Sequence, residues 1–106
     1  MPLQARVGII AHMKVSLIID FKDVTTEGEI IQMRVWRVPQ PVASSGHHFK
    51  YRLFCGQTDR RHIGFDNERG KGDHYHIDDI ELAYPFITLE KRIEDFIAAV
   101  DKRRAA

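Results

Sequence analysis

Four stretches of this chain alternate apolar and polar residues with a period of two, and only one later stretch carries a helical repeat. That order excludes most architectures, because residues two apart share one face of a strand, whereas a helix returns to a face about every 3.6 residues. From Met13 to Lys22, residues Met13, Val15, Leu17, Ile19 and Phe21 face one way, and Lys14, Ser16, Asp20 and Lys22 the other. From Glu29 to Val38, Ile31, Met33 and Val35, closed by Arg37, oppose Gln32, Arg34 and Trp36. His47 to Cys55 sets Phe49, Tyr51 and Leu53 against His48, Lys50 and Arg52, and Arg61 to Asp66 turns Ile63 and Phe65 inward. Turn-forming residues punctuate these segments at 23–29, 39–46 and 56–59. His74 to Ile77 reads as a short extended segment. Thr88 then suits a helix N-cap, followed by Leu89, Ile93, Phe96, Ile97 and Val100 as one apolar stripe and by Lys102, Arg103 and Arg104 at the negative end of the helix dipole. The expected fold is α+β, an antiparallel sheet of four or five strands with one C-terminal helix packed on its apolar face. Residues 1–12 are expected to be an N-terminal extension or arm, and 13–104 a single domain.

One helix covers one face of a sheet. The other face is then left with Lys14, Arg34, Trp36, His48, Lys50 and Arg52, cations beside an aromatic ring, which is the chemistry of phosphate contact and base stacking. The net charge of +1 over 106 residues conceals this. Between His47 and His62 lie four Lys/Arg and one acid, and between Ile77 and Glu90 four acids and no Lys/Arg. The single cysteine, Cys55, excludes a disulfide framework and Cys-based zinc sites, and a reducing cytoplasm is the expected compartment. At a strand end Cys55 reads as a small core residue. Ser44 and Ser45 lack a G-x-S-x-G elbow. The apolar runs around His12, Lys14 and Asp20 are too short for a membrane span, and no secretory cleavage pattern follows them.

The segment Asp66-Asn67-Glu68-Arg69-Gly70-Lys71-Gly72-Asp73-His74-Tyr75-His76 carries the densest chemistry. Glycines flanking Lys71 allow close backbone approach to an anion, although the Walker spacing is absent. His74 and His76 share one side of an extended chain. Two imidazoles and a cation suffice for metal-free RNA cleavage: one ring takes the 2′-hydroxyl proton, the other protonates the leaving 5′-oxygen, and Lys71 stabilises the charged phosphorane. Arg34, Arg37, His48, Lys50 and Arg52 would hold the phosphate backbone, with Trp36 as a stacking surface. Asp66, Asn67 and Asp73 would orient the loop. No cofactor is expected on this reading. The rival is a divalent metal at Asp73, His74 and His76, with a fourth ligand from His47, His48 or Asp66, serving a nuclease or transferase. The plain alternative is a polar loop whose side chains satisfy turns.

Trp36-Arg37-Val38-Pro39, Phe49-Lys50-Tyr51-Arg52-Leu53, the string Gly64-Phe65-Asp66-Asn67-Glu68-x-Gly70-Lys71-Gly72-Asp73-His74-x-His76, and Pro85-Phe86 ahead of a helix containing Asp95-Phe96 resemble the TumE family over Met13 to Asp101. These are small prokaryotic toxins of toxin–antitoxin pairs. The resemblance implies growth inhibition and a cognate antitoxin, typically a helix-turn-helix DNA-binding protein. It supplies no catalytic set, so the RNA substrate rests on the residues above. A non-catalytic module docking RNA, a ribosome or a protein is the alternative. An exposed strand edge or residues 1–12 would support a homodimer.

Overall fold

Consecutive alternating segments pair most readily with their neighbours in sequence, and in the computed structural model, which describes residues 14–105, every strand does so. Six antiparallel strands run in sequence order: β1 (Ser16–Val24), β2 (Ile30–Arg37), β3 (Phe49–Gln57), β4 (Arg60–Asp66), β5 (His74–Ile77) and β6 (Ile80–Ala83). The helix α1 (Leu89–Ala105) follows. Thr88 caps it, its Oγ1 accepting from the Lys91 N–H at 3.1 Å. The class is the expected one, with one strand more. The segment taken as an extension, residues 1–12, lies outside the described residues.

The core is built from the inward set of β2–β4 (Val35, Tyr51, Leu53, Cys55, Ile63, Phe65) against Phe96 and Val100 of α1. A helix is about 10 Å across and strands lie about 4.8 Å apart, so one helix covers about two strands. Accordingly α1 packs on β3 and β4, and the flanks of that face stay partly open. The helix also sits rotated from the expected stripe. Ile97 is exposed, and Arg92 is fully buried in its place.

One further reading is corrected. The strand β1 is not half-buried: only Ile19 among its residues is partly covered. A bulge between Leu17 and Ile19 places Leu17 opposite Trp36 and Ile19 opposite Val35, so Leu17 moves to the face opposite Ile19 and Phe21. The acidic stretch after Ile77, left unassigned by the sequence pattern, supplies the sixth strand. Asp78-Asp79, with Asp78 at φ 53°, forms a two-residue turn that returns the chain as β6 and pairs Ile77 with Ile80.

Candidate active site

Register builds the site. Across β1 to β5, Asp20, Arg34, Arg52, Asp66 and His74 stand in successive cross-strand partnership, which puts their side chains in one row on the face opposite α1. The adjoining row runs Lys22, Gln32, Phe54, Gly64, His76 and Glu81. Gly64 leaves a gap in it that the Arg61 side chain occupies: a Cβ at Gly64 would stand 2.6 Å from Arg61 Cδ. Arg34, Arg52, Asp66 and His74 of the first row and His76 and Glu81 of the second, with Trp36, Arg61, Glu68 and Lys71, line a cleft of about 450 Å³.

His74 is 7% exposed. Its Nδ1 lies 2.9 Å from the Gly72 carbonyl, and its Nε2 lies 3.1 Å from Asp66 Oδ1 and 3.6 Å from Glu81 Oε1. A neutral imidazole donates from one nitrogen only. Both acceptors are satisfied when the ring carries both protons, or when a cation stands on Nε2 in place of the second. Gly72 makes this geometry possible: it holds φ +79°, and a Cβ there would meet the Ser44 carbonyl oxygen at 2.9 Å.

His76, its ring edge-on to His74 at 5.2 Å, differs in electrostatics. Burial, then the nearby Arg61 guanidinium, hold it below the usual imidazole range against the opposing pull of Glu81 and Asp66. At neutral pH it is therefore an uncharged ring with a lone pair available. Its Nε2 faces Glu81 Oε1 at 3.4 Å. Lys71 Nζ reaches the same oxygen at 3.5 Å, so Lys71, His74 and His76 converge on one carboxylate oxygen. Burial acts to raise the Glu81 carboxyl, but Lys71 and the two histidines prevail and hold it below its ordinary value.

The residues singled out from sequence separate into two groups. Arg34, Trp36, Arg52, Asp66, Lys71, His74 and His76 meet in the cleft. Lys50 shares the face, opposite Trp36, but stands exposed outside the cleft. Exposed His48 lies with Nδ1 3.1 Å from the Val38 carbonyl. Arg37 falls on the α1 side of the sheet, its guanidinium 5.0 Å from the Phe49 ring. Asp73 turns away from His74 and His76: its Oδ2 accepts from Tyr51 Oη at 2.5 Å and from His47 Nε2 at 2.9 Å. The carboxylate that joins the two histidines is Asp66, with ligand atoms of all three within 4.8 Å of one another. Any metal held here would rest on Asp66, His74 and His76 rather than on Asp73.

Asn67 is fully buried and acts as a surrogate strand residue. Its Oδ1 accepts from the Tyr51 N–H at 3.1 Å and its Nδ2 donates to the Phe49 carbonyl at 2.7 Å, pinning the start of the Asp66–His74 loop to β3. Asn67→Ala strands both backbone groups and is expected to cost about 2–4 kcal/mol in urea unfolding. A loss below about 0.5 kcal/mol would contradict that role.

Arg61, Glu68 and Glu81 escaped the sequence reading. The apolar-polar alternation of Ile80-Glu81-Leu82-Ala83 after an Asp-Asp turn was the available signal for Glu81. Nothing in the sequence signals that the Arg61 side chain folds over Gly64. Among the described residues no helix is long and apolar enough to cross a membrane. Compared with known families, residues 9–104 match the family described as toxin TumE. No curated protein and no solved structure gives a match.

Proposed function

The chain belongs to the TumE toxin family, the toxin side of a toxin–antitoxin pair with an antitoxin as partner, and on that premise we propose that it acts by cleaving RNA at this cleft without a metal. The carrying observation is the convergence of Lys71, His74 and His76 on Glu81 Oε1. That oxygen marks where an anionic phosphoryl oxygen sits when substrate displaces the half-exposed Glu81 side chain.

The chemistry follows from the contrasting environments of the two rings. Neutral His76 takes the 2′-hydroxyl proton. The 2′-oxygen attacks phosphorus, Lys71 and Arg52 hold the non-bridging oxygens, and His74 gives its Nε2 proton to the departing 5′-oxygen. The bond to the 5′-oxygen breaks, leaving a 2′,3′-cyclic phosphate and a 5′-hydroxyl. Asp66 and the Gly72 carbonyl keep the His74 ring oriented. Trp36, half-buried with the Arg34 guanidinium 5.3 Å from its ring, offers an aromatic surface beside the cleft for a neighbouring base.

A second reading has its own support. Asp66, His74 and His76 bring three ligand atoms together, and a backbone carbonyl on Nδ1 is the usual support of a metal-bound imidazole. Chelation separates the two. With a fluorescent RNA oligomer and excess EDTA, cleavage is expected to persist and to leave cyclic-phosphate ends. Activity lost in EDTA and restored by a divalent ion would replace the proton-transfer reading with the metal one. No cleavage under either condition, with growth inhibition intact, would make the cleft a docking surface only.

A further inference from the structure

On the α1 side of the sheet, the β5–β6 flank lies beyond the reach of the helix. The row Cys55, Ile63, Ile77, Ile80 runs out from the core to an Ile80 that is 63% exposed, and the neighbouring row ends at Leu82, 41% exposed. Between this flank and the last turns of α1 lies a groove of about 700 Å³. Ile63, Ile77 and Ala99 form its apolar lining, and Lys102, Arg103 and Arg104 crowd its edge against the single carboxylate of Glu29. Arg104 is engaged by Glu29 at 2.9 Å. Arg103 meets the exposed Asp78 only at 3.5 Å, and Lys102 has no ion-pair partner among the described residues.

We propose that this groove receives an acidic, amphipathic segment of the antitoxin. The inference rests on membership of the toxin family, not on RNA cleavage. An apolar lining calls for an apolar stripe, and a cationic edge calls for carboxylates flanking that stripe. A nucleic-acid strand would satisfy the cations and leave half-buried Ile77 and exposed Ile80 in water. A second copy docked two-fold on this surface would bring one cationic edge against another. The groove and the His74/His76 cleft open on opposite faces of the sheet, so occupancy of one and chemistry in the other are measured separately.

The test uses the full chain and a fluorescein-labelled synthetic 18-residue helical peptide, leucine on one face and glutamate elsewhere, followed by anisotropy. Saturable binding is expected, weakened about tenfold by Lys102→Glu with Arg103→Glu, both exposed positions whose change leaves the core intact. Ala99→Glu, checked for fold by circular dichroism, is expected to weaken it through the apolar lining. A leucine–lysine peptide is expected not to bind. Equal binding by the charge-reversed variant, or equal binding of the lysine peptide, overturns the proposal. Self-association in sedimentation that Ala99→Glu abolishes would assign the groove to a second copy. An RNA oligomer that displaces the peptide, and loses binding with the same two substitutions, would assign it to nucleic acid; either result also overturns it. RNA cleavage by the Lys102→Glu/Arg103→Glu variant is expected to be unchanged, so failure of the docking inference and failure of the cleavage reading give different results.

Discussion

His76→Ala is expected to slow RNA cleavage by about 10²–10⁴-fold, the contribution of a positioned general base. His74→Ala should lose a similar factor as the general acid goes. The double variant should fall little below either single one, because groups that act in one proton-transfer sequence are not additive. Thermal unfolding of each variant separates lost chemistry from lost fold, which matters most for buried His74. Full activity in the double variant would remove both histidines from the mechanism.

The pH profile of kcat/KM tests the assignment of the base, because it reports the free enzyme. His76 works when neutral, and its environment holds it below the ordinary imidazole value of 6.5. Activity is therefore expected to rise on an acid limb below 6.5 and to have levelled by neutral pH. Arg61 opposes protonation of His76 and Glu81 favours it. Arg61→Gln should then move the limb to higher pH, and Glu81→Gln to lower pH. Opposite movements place the limb on a group that both charges reach, and Arg61 and Glu81 both act on His76. Identical movements would assign the limb to another group. The same linkage bears on stability. A histidine depressed in the folded state contributes stability that is present above its unfolded value and lost as pH falls through its folded value. His76→Asn should accordingly flatten the acid side of the stability profile.

The inward parity of β2, β3 and β4 was legible because Ile31/Met33/Val35, Phe49/Tyr51/Leu53 and Ile63/Phe65 alternate without interruption. The convergence of Asp66 with His74 was not legible, because it arises from pairing β4 with β5 and no local pattern specifies that register. Asp73 is a different case. Next to His74 in an extended chain, it belongs on the opposite face by period two alone, and it is found there, bound to Tyr51 and His47. Leu17 escaped because a bulge shifts parity without any mark in the sequence. Arg92 escaped for a chemical reason. A guanidinium within a helix reads as solvated, and its burial becomes favourable only once three aromatic rings from separate elements have gathered around it.

Those rings make Arg92 the residue whose loss should cost the fold most. Its guanidinium carbon lies 3.7 Å from the Tyr84 ring centroid, 4.4 Å from that of Phe65 and 4.9 Å from that of Tyr51. One amino group donates to the His74 carbonyl, while Nε and Nη1 have no hydrogen-bond partner among the described residues. Burial lowers its pKa, with Tyr51, Tyr84 and Asp73 opposing. Arg92→Ala leaves a cavity, removes the cation–π contacts and orphans the His74 carbonyl. The expected loss is about 3–5 kcal/mol, comparable to truncating a large buried side chain. At about 4–8 °C per kcal/mol for a domain of this size, the unfolding midpoint should fall by at least roughly 12 °C. Arg92→Lys should do little better, since a compact, strongly hydrated ammonium spans the rings poorly. Arg92→Met should lie between wild type and alanine: it fills the space and relieves the burial of charge, yet leaves the carbonyl unpaired. A methionine variant as stable as wild type would mean that the charge contributes nothing net. One as unstable as alanine would locate the loss in the guanidinium's own interactions, its contacts with the three rings and its bond to the His74 carbonyl.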